Sequence, residues 1–155
     1  MISAAVVAAR AGVGYATFFR HYADTEAVLL EIADEMMADV GAAMLPAFLA
    51  KDDEAAMRVV TEYVAKNHSI SHAMLVVAGP VTQRAMVERA VAQFERWPDK
   101  PGNIIPHELS IRFTVAAMIS ILAWWLEREP GRTPVEVAGI LRHFVAEPLS
   151  KRYED

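Results

Sequence analysis

The side chains best suited to binding a partner lie in residues 11–26, AGVGYATFFRHYADTE. A hydroxyl (Thr17), a guanidinium (Arg20) and an imidazole (His21) gather here around a run of aromatics, just after Gly12 and Gly14. Two short helices joined by a glycine turn, the second at an angle to the first, follow the helix-turn-helix plan. Gly12 suits the turn because left-handed backbone carries no Cβ penalty in glycine. In that plan the second helix enters a major groove with its first residues, Gly14 to Thr17, at the base edges. Thr17 and His21 then hydrogen-bond phosphate oxygens, and Arg20 adds charge nearby. An ordinary helical hairpin, with Phe18, Phe19 and Tyr22 in a core and His21 on the surface, fits the same residues. Spacing alone does not choose between the two.

Other chemistry finds less support. His68 and His72 are four apart and share a helix face, the spacing of a zinc pair. No carboxylate sits at a matching spacing beside them, and Asn67-His68-Ser69 reads as a helix break, so no metal and no cofactor are expected. The chain has no cysteine, which removes disulfides, thiolate ligands and cysteine nucleophiles together. HExxH, GxSxG, P-loop and Rossmann glycine patterns do not occur. Glu62, Glu88 and Glu95 lie on charged faces and read as solvated. The residues therefore point to binding, not catalysis.

The elements that position these groups read as helical throughout. Alanine, leucine, methionine and glutamate dominate the 155 residues, and no stretch alternates with period two. Ser3 caps a short helix ending near Gly12, and a second runs from about Tyr15 to Tyr22. Asp24 and Glu26 suit the start of a third, which carries Val28, Leu29, Ile32, Met36 and Val40 at helical spacing and stops before Pro46. A fourth starts at Asp52 or Asp53 and frays at Asn67. A short apolar segment, 69–78, ends at Gly79-Pro80, and Pro80 opens a helix to Trp97. Pro106 opens a long apolar helix to Glu127, and Thr133-Pro134-Val135-Glu136 combines a capping box with a proline to start the last.

Composition narrows the partners. Net charge is −5, yet residues 1–25 hold Arg10 and Arg20 against Asp24 alone. An acidic body repels phosphates, so any nucleic-acid contact is confined to the N-terminal segment. Mean hydropathy is +0.21, high for a water-soluble chain. The longest uncharged apolar run, Phe113 to Leu126, has 14 residues, short of the roughly 20 that cross a bilayer, so no membrane partner is expected. No signal peptide is visible. A cytoplasmic location is expected.

The stretch VAARAGVGYATFFRHYADTEAVL resembles the DNA-binding signature of the TetR family of bacterial transcriptional regulators. The pattern there is apolar-Ala-x-x-Ala-Gly-Val, a small residue, two variable positions, Thr, an apolar residue, Tyr, a variable residue, His or Tyr, an aromatic, and soon Lys-Glu-x-Leu. The resemblance spans about 25 residues without a gap. It implies that Gly14, Tyr15 and Ala16 face bases while Thr17 and His21 touch phosphate. The tyrosine that commonly donates to a phosphate is Phe19 here, and the lysine that begins the following helix is Thr25. The family also places a first helix of roughly 20 residues before the position of Ser3, whereas this sequence begins at Met1. Binding to a palindromic operator is expected of a chain that carries that helix.

The fold class expected is all-α and TetR-like: a helix-turn-helix head, lacking its first helix, over residues 1–26, and a helical ligand-binding and dimerisation domain over 27–155. Residues 113–126 are apolar nearly all round, which favours a homodimer. Phe113, Met118, Ile121 and Trp125 are expected at its interface, with Val137, Ile140, Leu141 and Phe144 of the last helix. The resemblance implies a cavity for a small apolar or amphipathic effector, lined by Met36, Met37, Met57, Met74, Met86, Phe94, Trp97 and Trp124. His68, His72, Ser71, Gln83 or Asn103 would orient it. The function expected is a ligand-released repressor acting as a homodimer. The alternative is a dimeric small-molecule-binding module with an incomplete head and no specific DNA binding.

Overall fold

The computed structural model describes residues 4–94 and 105–150, and among them every regular element is helical. Helices α1 (Ala4–Ala11) and α2 (Tyr15–His21) precede the long α3 (Thr25–Leu49). Then come α4 (Asp53–Lys66), α5 (His68–His72) running into a π-helical turn Ala73–Val77, and α6 (Gly79–Phe94). After the loop, α7 (His107–Arg128) and α8 (Pro134–Leu141) lead through a second π-helical turn, Arg142–Ala146, into α9 (Glu147–Ser150).

Polar residues at the helix starts act as the sequence requires. Asp24 Oδ1 accepts from the Ala27 amide at 2.8 Å, and Asp52 Oδ1 from the Ala55 amide at 2.8 Å, each satisfying an N–H that the helix itself leaves free. Thr133 and Glu136 form the full capping box of α8. The Thr133 amide and hydroxyl both donate to the Glu136 carboxylate, at 2.7 and 2.8 Å, and hold its pKa below the usual carboxylate value.

One boundary differs from expectation. α3 does not stop before Pro46 but carries it and continues to Leu49. A proline inside a helix removes one bond to the carbonyl four residues back. Here that carbonyl belongs to Ala42, which like Pro46 is exposed, so water can take the place of the lost donor. Both π-helical turns lie just ahead of prolines, Pro80 and Pro148. Gln83 Nε2 donates to the Leu75 carbonyl at 2.8 Å, supplying a donor where Pro80 has none.

The core joins α3 to α8. Ala33 and Met36 meet Ala56, Met57, Val60 and Val64 of α4, Met74 and Leu75 of the first π turn, and Met86 of α6. Ile119, Leu122, Trp125 and Leu126 of α7 and Val137, Ala138 and Leu141 of α8 close it. A smaller cluster of Ala90, Val91 and Ile111 extends the α6–α7 contact. Ion pairs reinforce α6 on both sides: Arg89 with Asp34 of α3, and Arg112 of α7, whose guanidinium grips both oxygens of Glu88 at 2.6 and 2.8 Å. Arg112 also binds Glu108 at 2.8 Å. By length and composition α7 could cross a membrane, with a mean hydropathy of 1.7 over 18 residues, a test that core helices also pass.

Candidate nucleic-acid interface

α1 ends in a defined hydrogen-bond pattern. Gly12 adopts φ +68°; its amide donates to Ala9 O at 3.2 Å, and the Val13 amide to Ala8 O at 3.0 Å. This is the Schellman termination, in which a left-handed residue after the helix lets two amides satisfy carbonyls that would otherwise be left bare. The chain turns at once. Gly14 has extended backbone and its carbonyl accepts from the Phe18 amide, so only three residues separate α1 from α2.

Phe18 determines which side of α2 is covered. Its ring is 5% exposed, lies 5.7 Å from that of Tyr22, and shares the interior of this pair of helices with the buried Ala8. The opposite side stays open. Gly14, Tyr15, Ala16, Phe19, Arg20 and His21 are all exposed, and Thr17 is half-buried beside them. Tyr15 is 61% exposed and Phe19 42% exposed, unusually high for rings of this size. Their centroids are 4.7 Å apart, and Phe19 also meets the edge of the anchored Phe18 at 5.2 Å. Arg10 and Arg20 are the charged residues among positions 4–23, with no carboxylate there to oppose an anion.

The joint to α3 is tied at two points. Asp24 caps α3, with Thr25 half-buried at its first position. Hydrogen bonding toward the Glu31 carboxylate first, then desolvation and the charges of Glu31 and Glu35, raises the Tyr22 pKa. Sequence reading gave Tyr22 only a core role. Its link to α3 depends on which way the ring points, which no local pattern encodes.

The residues expected to line a cavity scatter. Met36, Met74 and Met86 do come together, but in the close-packed core. His72 is half-buried and His68 exposed; their rings stack at 6.2 Å. No group of three or more metal-ligating side chains occurs among the described residues. His68 borders a recess of about 170 Å³ with Trp125 and Arg132, and none of the methionines lines it. Gln83 is occupied by the Leu75 carbonyl. The Ser71 hydroxyl is buried and makes no hydrogen bond. Trp97, Asn103 and the side chain of Phe94 lie outside the described residues.

The two tryptophans differ in burial from what their expected roles require. Trp125, expected at the interface, is buried, and its Nε1 donates to Arg132 O at 3.0 Å. Trp124, expected in the cavity, faces outward, with the Arg132 guanidinium 5.6 Å from its ring. Consecutive helix residues point about 100° apart, so the two indoles leave α7 in different directions. Val137 and Leu141, also expected at an interface, are 0% exposed, because α8 packs them onto α4 and α7. Met118, Ile121 and Ile140 are half-buried, while Phe113 and Phe144 are exposed.

A different stripe is open. Leu109, Phe113, Ala116, Ser120 and Trp124 recur every three or four residues along the exposed side of α7, and Val135, Gly139 and Phe144 are exposed as well. The α7 set has helical spacing, but the apolar residues between hid it from the sequence reading. Comparison with models of protein families, with curated proteins and with solved structures returned no match.

Proposed function

We propose that this protein is a TetR-like, homodimeric DNA-binding transcriptional regulator, a repressor released from its operator by a small apolar or amphipathic molecule. The observation that carries the reading is the open face of α2 from Gly14 to His21, presented by the turn at Gly12 and free of carboxylates. A helix with its apolar ring buried and its other side bare, next to two arginines, suits a duplex better than a hairpin core. Thr17 and His21 supply phosphate hydrogen bonds and Arg20 charge; Gly14, Tyr15 and Ala16 form the surface toward the bases.

The homodimer forms through the outer stripe of α7 and the exposed residues of α8. Phe113 and Trp124 supply buried area there, and Ala116, Ser120 and Gly139 let backbones approach. A twofold pair of heads reads half-sites about 34–36 Å apart or a multiple of it. The effector enters the methionine-rich interior, where flexible thioethers repack around an apolar guest. The unpartnered Ser71 hydroxyl, one turn before Met74, meets its polar end. Binding that shifts α3 moves the heads apart through the Tyr22–Glu31 link and so loosens the operator.

Binding of the full chain to DNA from upstream of its own coding region, measured by fluorescence anisotropy over a range of salt, tests the reading. Affinity should fall steeply with salt, and His21→Ala should weaken binding by a similar factor on every sequence. Salt-independent binding, or no binding at any salt, would overturn it.

A further inference from the structure

We infer that the recess between the α4–α5 junction and the loop joining α7 to α8 is a binding site for a small aromatic monocarboxylate of the size of benzoate. The inference does not rest on the DNA-binding reading, and the site is separate from the methionine-rich interior assigned to the effector.

The recess has an apolar floor and a nitrogen-bearing rim. Trp125 and Leu126 are buried and Pro134 is half-buried, while Ala65, His68, Pro130 and Arg132 are exposed around them. Its volume is about 170 Å³. An apolar cavity of roughly 150 Å³ holds benzene, so the space suits one six-membered ring. The Trp125 indole presents its ring surface to a guest, because its N–H is already given to Arg132 O at 3.0 Å. Flat indole and pyrrolidine surfaces favour an aromatic ring between them.

The rim sets the charge of the ligand. Among the described residues no acidic side chain lines the recess, and the ionisable groups there are an arginine and a histidine. An imidazole keeps at least one N–H donor whether neutral or charged, and a guanidinium presents a planar fork matched to a carboxylate. The Arg132 pair with Glu129 is 3.6 Å long, with the two side chains 40% and 49% exposed. A pair of that kind is weak, so turning the guanidinium toward a ligand costs little.

The recess is also shaped before anything binds. The Arg132 amide donates to Glu129 O at 3.0 Å, its carbonyl accepts from Trp125, and the capping box locks Thr133 to Glu136. Pro130 and Pro134 have φ set by their rings. Arg132 enters these bonds through its backbone, which leaves its side chain to the ligand. A site held this way loses little freedom on binding.

Titration of the full chain with benzoate, followed by proton–nitrogen and proton–carbon NMR, tests the assignment. The Trp125 indole N–H and the amide of residue 132 should shift saturably, with an affinity on the order of 1 mM, the scale open to so small a ligand. Benzylammonium, with the opposite charge, should bind at least about tenfold more weakly, since it meets Arg132 and no carboxylate. Arg132→Gln should weaken benzoate about tenfold and leave benzyl alcohol unchanged, a difference that a general loss of stability does not imitate. Ala65→Leu adds bulk at an exposed lining position and should abolish binding of both. Absence of a saturable shift up to about 20 mM benzoate would overturn the inference. So would equal binding of benzylammonium, or benzoate binding that survives Ala65→Leu. Shifts confined to the methyls of Met36, Met74 and Met86 would overturn it too, by placing the acid in the interior instead.

Discussion

Replacing Gly12 with alanine isolates the turn on which the exposed face depends. A Cβ built at Gly12 meets nothing within 4 Å, so the substitution creates no clash with neighbouring side chains. The cost comes from the backbone alone: φ is +68°, and an L-residue held in the left-handed region is disfavoured by about 1–2 kcal/mol. That corresponds to roughly a 5- to 30-fold increase in opening of the turn, taking 1.4 kcal/mol per factor of ten. The two hydrogen bonds of the termination, Gly12 N–H to Ala9 O and Val13 N–H to Ala8 O, report it directly. Hydrogen exchange at the amide of residue 12 or 13 should accelerate by that factor in Gly12→Ala, and DNA affinity should fall with it. Gly131→Ala is the control. Its Cβ also meets nothing, and its φ lies outside the left-handed region, so the change should stay within about 0.5 kcal/mol of the parent. Equal effects of the two substitutions on the α1–α2 amides would refute the argument that conformation at Gly12, and not the mere presence of glycine, sets the turn.

Three further outcomes follow from the body of the protein. Phe113→Glu places a charge in the open stripe of α7 without disturbing the core, and sedimentation should shift from twice 17.1 kDa toward 17.1 kDa; an unchanged sedimentation mass would remove the stripe from the interface. Leu141→Ala, at a side chain with 0% exposure, should lower unfolding stability by about 2–5 kcal/mol in urea titration, whereas an interface residue exposed in the monomer would cost far less. The pKa of Glu136 is held down by the Thr133 amide and hydroxyl, so its contribution is present above the ordinary glutamate value and disappears as pH falls through the lowered one. Parent and Glu136→Gln should therefore converge in stability at low pH and separate toward neutrality; parallel curves across the acid range would discount the capping box.

The long elements were legible because their signals are local. Asp24, Asp52 and the Thr133–Glu136 box start helices through hydrogen bonds that reach three residues at most, and the structure places α3, α4 and α8 after them. Gly12 was legible for the same reason: positive φ is a property of one residue and its type. Pro46 was misread because a proline's effect depends on whether the carbonyl it orphans can reach water, and that is decided by which side of α3 faces the core.

Orientation within an apolar helix needed the tertiary structure. From Phe113 to Leu126 nearly every residue can be buried, so the pattern carries no direction, and it did not tell the buried Trp125 from the exposed Trp124. Packing against α8 and the Arg132 carbonyl selected Trp125 for the interior, and the same choice left Leu109, Phe113 and Trp124 outside. The sequence by itself determined where helices begin and which residues form the glycine turn. Tertiary structure decided which faces are left open, because burial is a competition among neighbours, and no residue settles it alone.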